Sequence, residues 1–317
     1  MARFSVSGAA TAGFGVIARA PLAVLAWGLV MLVTLIGPMM GLMWMLIPQF
    51  IEIFKAMPDP ASTSSPAADP AMFARMMQLQ TSMMGLNAIS LVGGTAIKAV
   101  VAGAVFRAVL QPDQKRWAYL RLGKSELWLA LVTLVQTVLF MMAYFAVLII
   151  GFILGMIVYM AGSAAGDGGK LVAGLLIGLV ILAAIGVLLW GVLRLSMAGP
   201  MSFAEGKFLL FESWTFTRGQ SGRLLGMAVL LALILMALEL VVYAVVGVAV
   251  FGSWSGIAAM VEALRDQPPQ AWLHAFWKIA AIGAVVLSFL AAFAMALICA
   301  PWAKAYQELA ASGAKAS

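Results

Sequence analysis

Charged residues are scarce in this chain of 317 residues, because lysine, arginine, aspartate and glutamate together make up only 10% of it. A water-soluble domain carries about a quarter charged residues. Hydrophobic residues account for 64% of the sequence, too large a share for a surface that faces water on all sides. The composition therefore excludes an ordinary soluble domain and predicts that lipid solvates much of the chain.

Cysteine and histidine are rarer still, with Cys299 and His274 the only residue of each type. A single cysteine excludes an intrachain disulfide, and the scarcity of both types excludes a zinc site built from thiolates and imidazoles. A serine–histidine–acid triad would have to use His274, for which Glu262 and Asp266 are the only local carboxylates. The sequence therefore predicts no catalytic residue, no metal site and no cofactor, and we expect a protein that is not an enzyme.

Long apolar runs are what the sequence has instead. Each of six runs is long enough, at about 1.5 Å per helical residue, to cross a hydrocarbon core of about 30 Å. We therefore predict an all-α integral membrane protein, a six-transmembrane-helix bundle in which residues 1–317 form a single polytopic domain. The predicted spans are residues 21–54, 85–110, 127–161, 171–197, 224–251 and 275–300. We expect a kink near Gly37-Pro38, since proline removes a helical hydrogen bond.

The distribution of lysine and arginine predicts the orientation of the bundle. The end that holds both termini carries thirteen of them: Arg3, Arg19, Arg107, Lys115, Arg116, Arg121, Lys124, Arg194, Lys207, Arg218, Arg223, Lys304 and Lys315. The opposite end carries five: Lys55, Arg75, Lys170, Arg265 and Lys278. Cytoplasmic loops are enriched in basic residues, so both termini are predicted to be cytoplasmic. The charges are scattered rather than gathered in a dense tract, so no nucleic-acid partner is expected.

Three semi-polar stretches precede outgoing helices on the predicted cytoplasmic side, at residues 4–21, 106–126 and 203–223. Each stretch mixes aromatic residues, glycine and arginine. As amphipathic helices they would lie in the membrane interface, with aromatic side chains at the depth of the headgroups. The alternative is that they are elbows that set the entry angle of the next span.

Lys98 and Glu239 lie near the middle of the second and fifth predicted spans. A charge at the bilayer centre costs about 2.5–3.5 kcal/mol on insertion scales, so we expect each side chain to face protein or water, and the two depths are compatible with a pair. Such a pair would serve a proton or ion pathway in a small transporter or channel. The alternatives are a structural ion pair, or a lysine that extends to the inner interface.

The connector after the fourth span is the predicted site of lipid contact. Within residues 199–219, aromatic side chains including Trp214 alternate with basic ones, and Lys207, Arg218 and Arg223 supply positive charge. A basic residue near an anionic membrane surface contributes about 1 kcal/mol of attraction. We therefore expect membrane lipids, anionic ones in particular, as partners. The competing interpretation is that these aromatic residues pack against the ends of the spans.

Pairs of glycines four residues apart could bring helices into close contact. They occur at Gly37 and Gly41, Gly151 and Gly155, and Gly174 and Gly178. Such spacing places both glycines on one helix face. Packing within the chain is one interpretation, and the seam of a homo-oligomer is the other.

The same connector carries a family resemblance. Its residues include Arg194-Leu195-Ser196, Pro200, Glu205 and Ser213-Trp214-Thr215-Phe216-Thr217-Arg218-Gly219. This pattern resembles a bacterial family of six-helix membrane domains, some fused to a glycerophosphodiester phosphodiesterase and others standing alone in the inner membrane. The resemblance implies six spans and a bacterial inner-membrane location. The chain has no soluble catalytic domain, so no phosphodiesterase activity is implied.

Together these observations predict a multi-pass inner-membrane protein that acts as an envelope, scaffold or lipid-associated accessory protein. A small transporter or channel that uses Lys98 and Glu239 is the alternative.

Overall fold

The computed structural model describes residues 4–56, 70–164 and 166–313. Every regular element within those ranges is helical. The α-helices are α1 Val6–Ala10, α2 Ala12–Arg19, α3 Pro21–Met31, α4 Gly37–Ala56, α5 Pro70–Leu110, α6 Lys124–Ala164, α7 Gly166–Leu195, α8 Ala198–Glu205, α9 Glu212–Phe216, α10 Ser221–Gly252, α11 Trp254–Leu264 and α12 Pro269–Gly313. A single 3-10 turn, Arg116–Tyr119, lies between α5 and α6.

Six of these helical segments are long and apolar enough to cross a membrane, which confirms the predicted number. The first is α3 and α4 together, joined by the π-helical turn Leu32–Ile36 directly before Gly37-Pro38. Pro38 has no N–H to donate to the preceding turn, so the helix widens there. A Cβ at Gly37 would lie 2.5 Å from the carbonyl oxygen of Leu32, so this turn leaves room for glycine only.

Two of the long helices extend far beyond the predicted spans. α5 begins at Pro70, fifteen residues before the predicted start at 85, and α12 continues to Gly313 rather than ending near 300. Hydropathy marks the part of a helix that suits lipid. The helix itself continues wherever good helix formers such as alanine, methionine and glutamine follow.

Small residues allow α2, α3, α5 and α12 to pack closely. Ala292, Ala296 and Ala300 follow one face of α12 at four-residue spacing and are fully buried. α2 lies against this face at Gly13, where a Cβ would come within 2.6 Å of the Leu297 Cα. At Gly28 of α3, a Cβ would lie 2.4 Å from the ring of Phe289. Small residues therefore bring α2 and α3 into close contact with α12.

One end of the bundle holds the N-terminal helices, the connectors 111–123 and 196–220 and residues 301–313 of α12, and we call it the base. A buried cluster in the base joins α1, α7, α8, α10 and α12 through side chains such as Met197, Leu224 and Met227. The backbone N–H of Ser5 donates to the Glu308 carboxylate at 2.9 Å. The base therefore joins helices that have few contacts with one another outside it.

Helices α6, α7 and α10 are largely exposed along their apolar middle sections. No residue is buried in the most apolar stretch of α6, whereas 44% of residues are buried in the corresponding stretch of α5. α6 and α7 pack mainly against each other as a hairpin, and α10 packs mainly on α1, α7 and α12. The apolar surfaces of these three helices are therefore available to lipid or to another chain.

The three semi-polar stretches form short helices and turns. Residues 4–21 form α1 and α2, which pack on α10 and α12. In residues 106–126, Phe106 belongs to the buried end of α5, and only a single 3-10 turn follows before α6. Residues 203–223 contain only short helical segments. The described parts of all three stretches therefore lie against the ends of the spans.

Candidate functional site

The connector between α7 and α10 contains two short helices, α8 and α9, separated by a bend at Gly206, whose φ is +62°. Its aromatic and apolar residues divide into two groups. Phe203 and Leu210 are buried, at 3% and 0% exposure. Phe211 and Trp214 are exposed, at 68% and 39%. Phe203, Leu210 and Trp214 therefore do not share one helical stripe, because the bend turns them to different surroundings.

The predicted basic residues of the connector lie on its accessible side. Lys207 and Arg218 are exposed, and Arg223 is half-buried at the start of α10. None of the three side chains forms an ion pair or hydrogen bond with another residue that the structure describes. Their positive charge is therefore available to an external anion.

Ser213 and Thr217 of the connector cap the C-terminal end of α7 with their hydroxyl groups. The Ser213 hydroxyl donates to the carbonyl oxygen of Arg194 at 2.8 Å and accepts the N–H of Met197 at 3.2 Å. The Thr217 hydroxyl lies 3.2 Å from the same carbonyl oxygen. The last carbonyl groups of a helix have no partner within the helix, so these hydroxyls satisfy one of them. Gly219 ends the motif with φ +79°, a conformation that glycine adopts most readily.

Trp190, Arg194 and Trp214 form a cluster beside this cap, which we call the cage. Trp190 and Arg194 are four residues apart on α7 and so share a face. The Arg194 guanidinium carbon lies 5.6 Å from the centre of the Trp190 ring and 5.7 Å from that of Trp214. The two rings meet edge to face at 4.7 Å. The cage therefore holds a cation between two aromatic rings that are 47% and 39% exposed.

A second arginine in the base has a very different environment. Arg107, in the last turn of α5, forms an ion pair with Glu126 in the first turn of α6, and both are buried, at 5% and 4% exposure. The same guanidinium donates to the carbonyl oxygen of Tyr119 and lies 5.3 Å from the centre of the Phe203 ring. This ion pair connects α5, α6, α8 and the 111–123 connector.

The 3-10 turn beside this ion pair has an unusual backbone. Trp117, Ala118 and Tyr119 have φ values of +54°, +54° and +63°, which are unfavourable for residues with a Cβ. Two hydrogen bonds hold the turn, one from the Trp27 indole to the Ala118 carbonyl at 2.8 Å and one from Arg107 to Tyr119. Trp117 consequently points outward with 85% exposure.

The structure does not bring Lys98 and Glu239 together. Both side chains are exposed, and no ion pair joins them. α5 packs mainly on α4, α6 and α12, whereas α10 packs mainly on α1, α7 and α12. Sequence position indicates depth along a span but not the direction in which a side chain points.

Two apolar grooves lie near the end opposite the base. One, of about 380 Å³, lies between the first span and α12 and is lined by residues such as Met40, Trp44 and Trp277. The other, of about 440 Å³, lies between α6 and α7. Neither is lined by Lys98, Glu239 or the exposed His274. In the parts of the chain described here, no three His, Cys, Asp or Glu residues are grouped as metal ligands.

Sequence reasoning missed the most organised parts of the base. It counted Arg107 only as a basic residue at a span end, it named Arg194 as a basic residue and as part of the family pattern, and it gave Glu126 and Trp190 no role. The four-residue spacing of Trp190 and Arg194 was a usable signal, because it places both on one face of a helix. The pairing of Arg107 with Glu126 depends on how two spans meet.

Comparison with known proteins gives no match: no protein-family model, curated protein or solved structure is similar to this chain. The resemblance to the six-helix bacterial family therefore stays a prediction.

Proposed function

We propose that this chain is a non-enzymatic multi-pass protein of a bacterial inner membrane that associates with anionic lipid through its base. The observation that carries the proposal is the accessible side of the connector between α7 and α10. There, exposed Phe211 and Trp214 accompany Lys207 and Arg218, which have no partner among the described residues. Aromatic rings beside basic side chains suit the headgroup region of an anionic leaflet.

The proposed orientation places the base in the cytoplasm. Its support is the excess of lysine and arginine at the end that holds both termini. The cytoplasmic leaflet carries a negative surface potential, so the exposed charges of the base would be attracted to it. Orientation and lipid preference thus follow from the same distribution of charge.

We also propose that the chain is a distant relative of the six-helix bacterial domains found beside glycerophosphodiester phosphodiesterases. Ser213, Thr217 and Gly219 support this proposal, because their hydrogen bonds and backbone conformation give the shared sequence pattern a structural purpose. The proposed relationship implies no phosphodiesterase activity for this chain. A transporter or channel that uses Lys98 and Glu239 would need them to share a polar path, and they lie on α5 and α10, which do not pack substantially against each other.

The test is a comparison of copurifying lipid in two triple variants. In the first, Lys207, Arg218 and Arg223 are replaced by Gln. In the matched control, Lys170, Arg265 and Lys278 at the opposite end are replaced by Gln, which removes the same amount of charge. Native mass spectrometry and lipid extraction should show less phosphatidylglycerol on the first variant at unchanged helix content. Equal losses in both variants, or no loss in either, would reject the proposed surface.

A further inference from the structure

The cage contains hydrogen-bond donors that nothing in the described chain accepts. Arg194 makes one long bond, from Nη1 to the Trp214 carbonyl oxygen at 3.4 Å, and its buried Nε has no partner. The indole N–H groups of Trp190 and Trp214 also lack an acceptor among the described residues. Buried polar groups in proteins are nearly always paired, so the Arg194 guanidinium has hydrogen-bonding capacity that the described chain does not use.

The environment of Arg194 differs from that of Arg107, the other arginine that lies beside aromatic rings in the base. Both arginines lie at span ends in the base, and both guanidinium groups lie beside aromatic rings. Arg107 is closed off and has the Glu126 carboxylate as its counter-ion. Arg194 is only half-buried and has no carboxylate within ion-pair distance among the described residues. The charge of Arg194 is therefore open to an anion from outside the chain.

We propose that the cage binds the phosphate of an anionic phospholipid headgroup, with Arg194 donating to the phosphate oxygens and the two indoles flanking it. A guanidinium presents several N–H groups in a fixed plane and forms paired hydrogen bonds with phosphate. Tryptophan suits the headgroup region because its ring is apolar and its N–H is polar. This inference rests on the proposed function in one respect, that the base lies at the membrane surface.

The chemistry distinguishes this site from the diffuse attraction of Lys207 and Arg218. Those residues are exposed, so salt should screen their effect strongly. Arg194 is partly enclosed by rings and uses directed hydrogen bonds, so one lipid per chain should remain bound at salt concentrations that remove the others. The cage should therefore retain a single tightly held lipid after extensive delipidation.

The experiment measures lipid binding to the delipidated full-length protein in detergent by native mass spectrometry. Wild type, Arg194→Gln and the matched control Arg265→Gln, at the opposite end of the bundle, are each titrated with phosphatidylglycerol at high salt. We expect one tight site in wild type and in Arg265→Gln, and roughly tenfold to a hundredfold weaker binding in Arg194→Gln. Equal affinity in all three proteins would overturn the proposal.

A second variant guards against a folding artefact, because Arg194→Gln also removes contacts between α7 and α9. Trp190→Phe keeps an aromatic ring but removes one N–H donor, so it should weaken binding severalfold while circular dichroism stays unchanged. If Trp190→Phe binds phosphatidylglycerol with unchanged affinity and Arg194→Gln unfolds, the cage only stabilises the packing of α7 on α9 and does not bind lipid.

Two further ligands identify the source of the phosphate. Inorganic phosphate and glycerol 3-phosphate should bind far more weakly than phosphatidylglycerol, because they lack the acyl chains that hold a lipid at this depth. Equal binding of the free anions would reject a lipid site. The triple variant of Lys207, Arg218 and Arg223 separates the two proposals. If it keeps all its copurifying lipid while Arg194→Gln loses the tight site, the lipid surface of the connector is rejected and the lipid site in the cage is supported. If the triple variant loses lipid while Arg194→Gln keeps the tight site, only the lipid site in the cage is rejected.

Discussion

Replacing Glu126 by Gln should destabilise the protein more than any other single loss of a carboxylate in the described chain. The change leaves the Arg107 guanidinium, 5% exposed, without its counter-ion. Removing one member of a buried pair typically costs about 3–5 kcal/mol, because the remaining charge cannot be solvated. The Tyr119 carbonyl and the Phe203 ring remain, and the Gln amide oxygen can still accept a bond, so we expect about 3 kcal/mol, the low end of that range.

The assay is equilibrium unfolding in mixed micelles by titration with sodium dodecyl sulfate, followed by circular dichroism. Glu262→Gln is the matched control, because Glu262 pairs with Arg265 at 3.7 Å but both side chains are more than 70% exposed. Exposed pairs contribute about 0–1 kcal/mol, so the control should scarcely change the free energy of unfolding.

A double-mutant cycle tests the reasoning further. Arg107→Met alone should also destabilise the protein, whereas Arg107→Met combined with Glu126→Leu should recover much of the loss, since no buried charge remains. Some loss should persist, because the Tyr119 carbonyl would lack its donor, at about 1 kcal/mol. Additive losses, or a Glu126→Gln cost no larger than that of Glu262→Gln, would refute the buried ion pair.

Three other predictions test the topology and the packing. A cysteine at Gly168 should be labelled by an impermeant reagent from outside intact cells, and a cysteine at Gln114 should be labelled only after the cells are opened. The opposite pattern would show that the bundle has the opposite orientation in the membrane. Gly13→Ala should lower the free energy of unfolding by about 1–3 kcal/mol through its clash with α12, whereas Gly15→Ala, with open space around it, should not. Lys98→Met should leave stability within about 0.5 kcal/mol, since the side chain is exposed and unpaired in the described structure, and a larger loss would reveal a partner.

The sequence allows the spans to be predicted because hydropathy depends on local composition alone. Six long apolar helices and the irregular turn before Gly37-Pro38 are both found in the structure. Side-chain partners depend on the rotation of each helix about its own axis, which hydropathy does not report. Lys98 and Glu239 therefore seemed suited to pairing by depth, although their helices, α5 and α10, do not pack substantially against each other.

The candidate site could be predicted in part. The aromatic and basic residues of the connector were identified, but its bend at Gly206 divides them between the interior and the surface. The ion pair between Arg107 and Glu126 links residues that flank a connector of irregular shape. Such a pair looks like two solvated charges at helix ends until the turn at Trp117–Tyr119 is known to fold over them.

Site-directed spin labelling of the connector tests the lipid-surface proposal most directly. A nitroxide would be attached at Phe211→Cys in a protein whose only native cysteine, Cys299, is replaced by alanine, and the protein would be reconstituted in phosphatidylglycerol nanodiscs. If the connector lies in the interface, the label should be more accessible to dissolved oxygen than to a water-soluble nickel chelate. Full accessibility to the nickel chelate and little to oxygen would contradict the account.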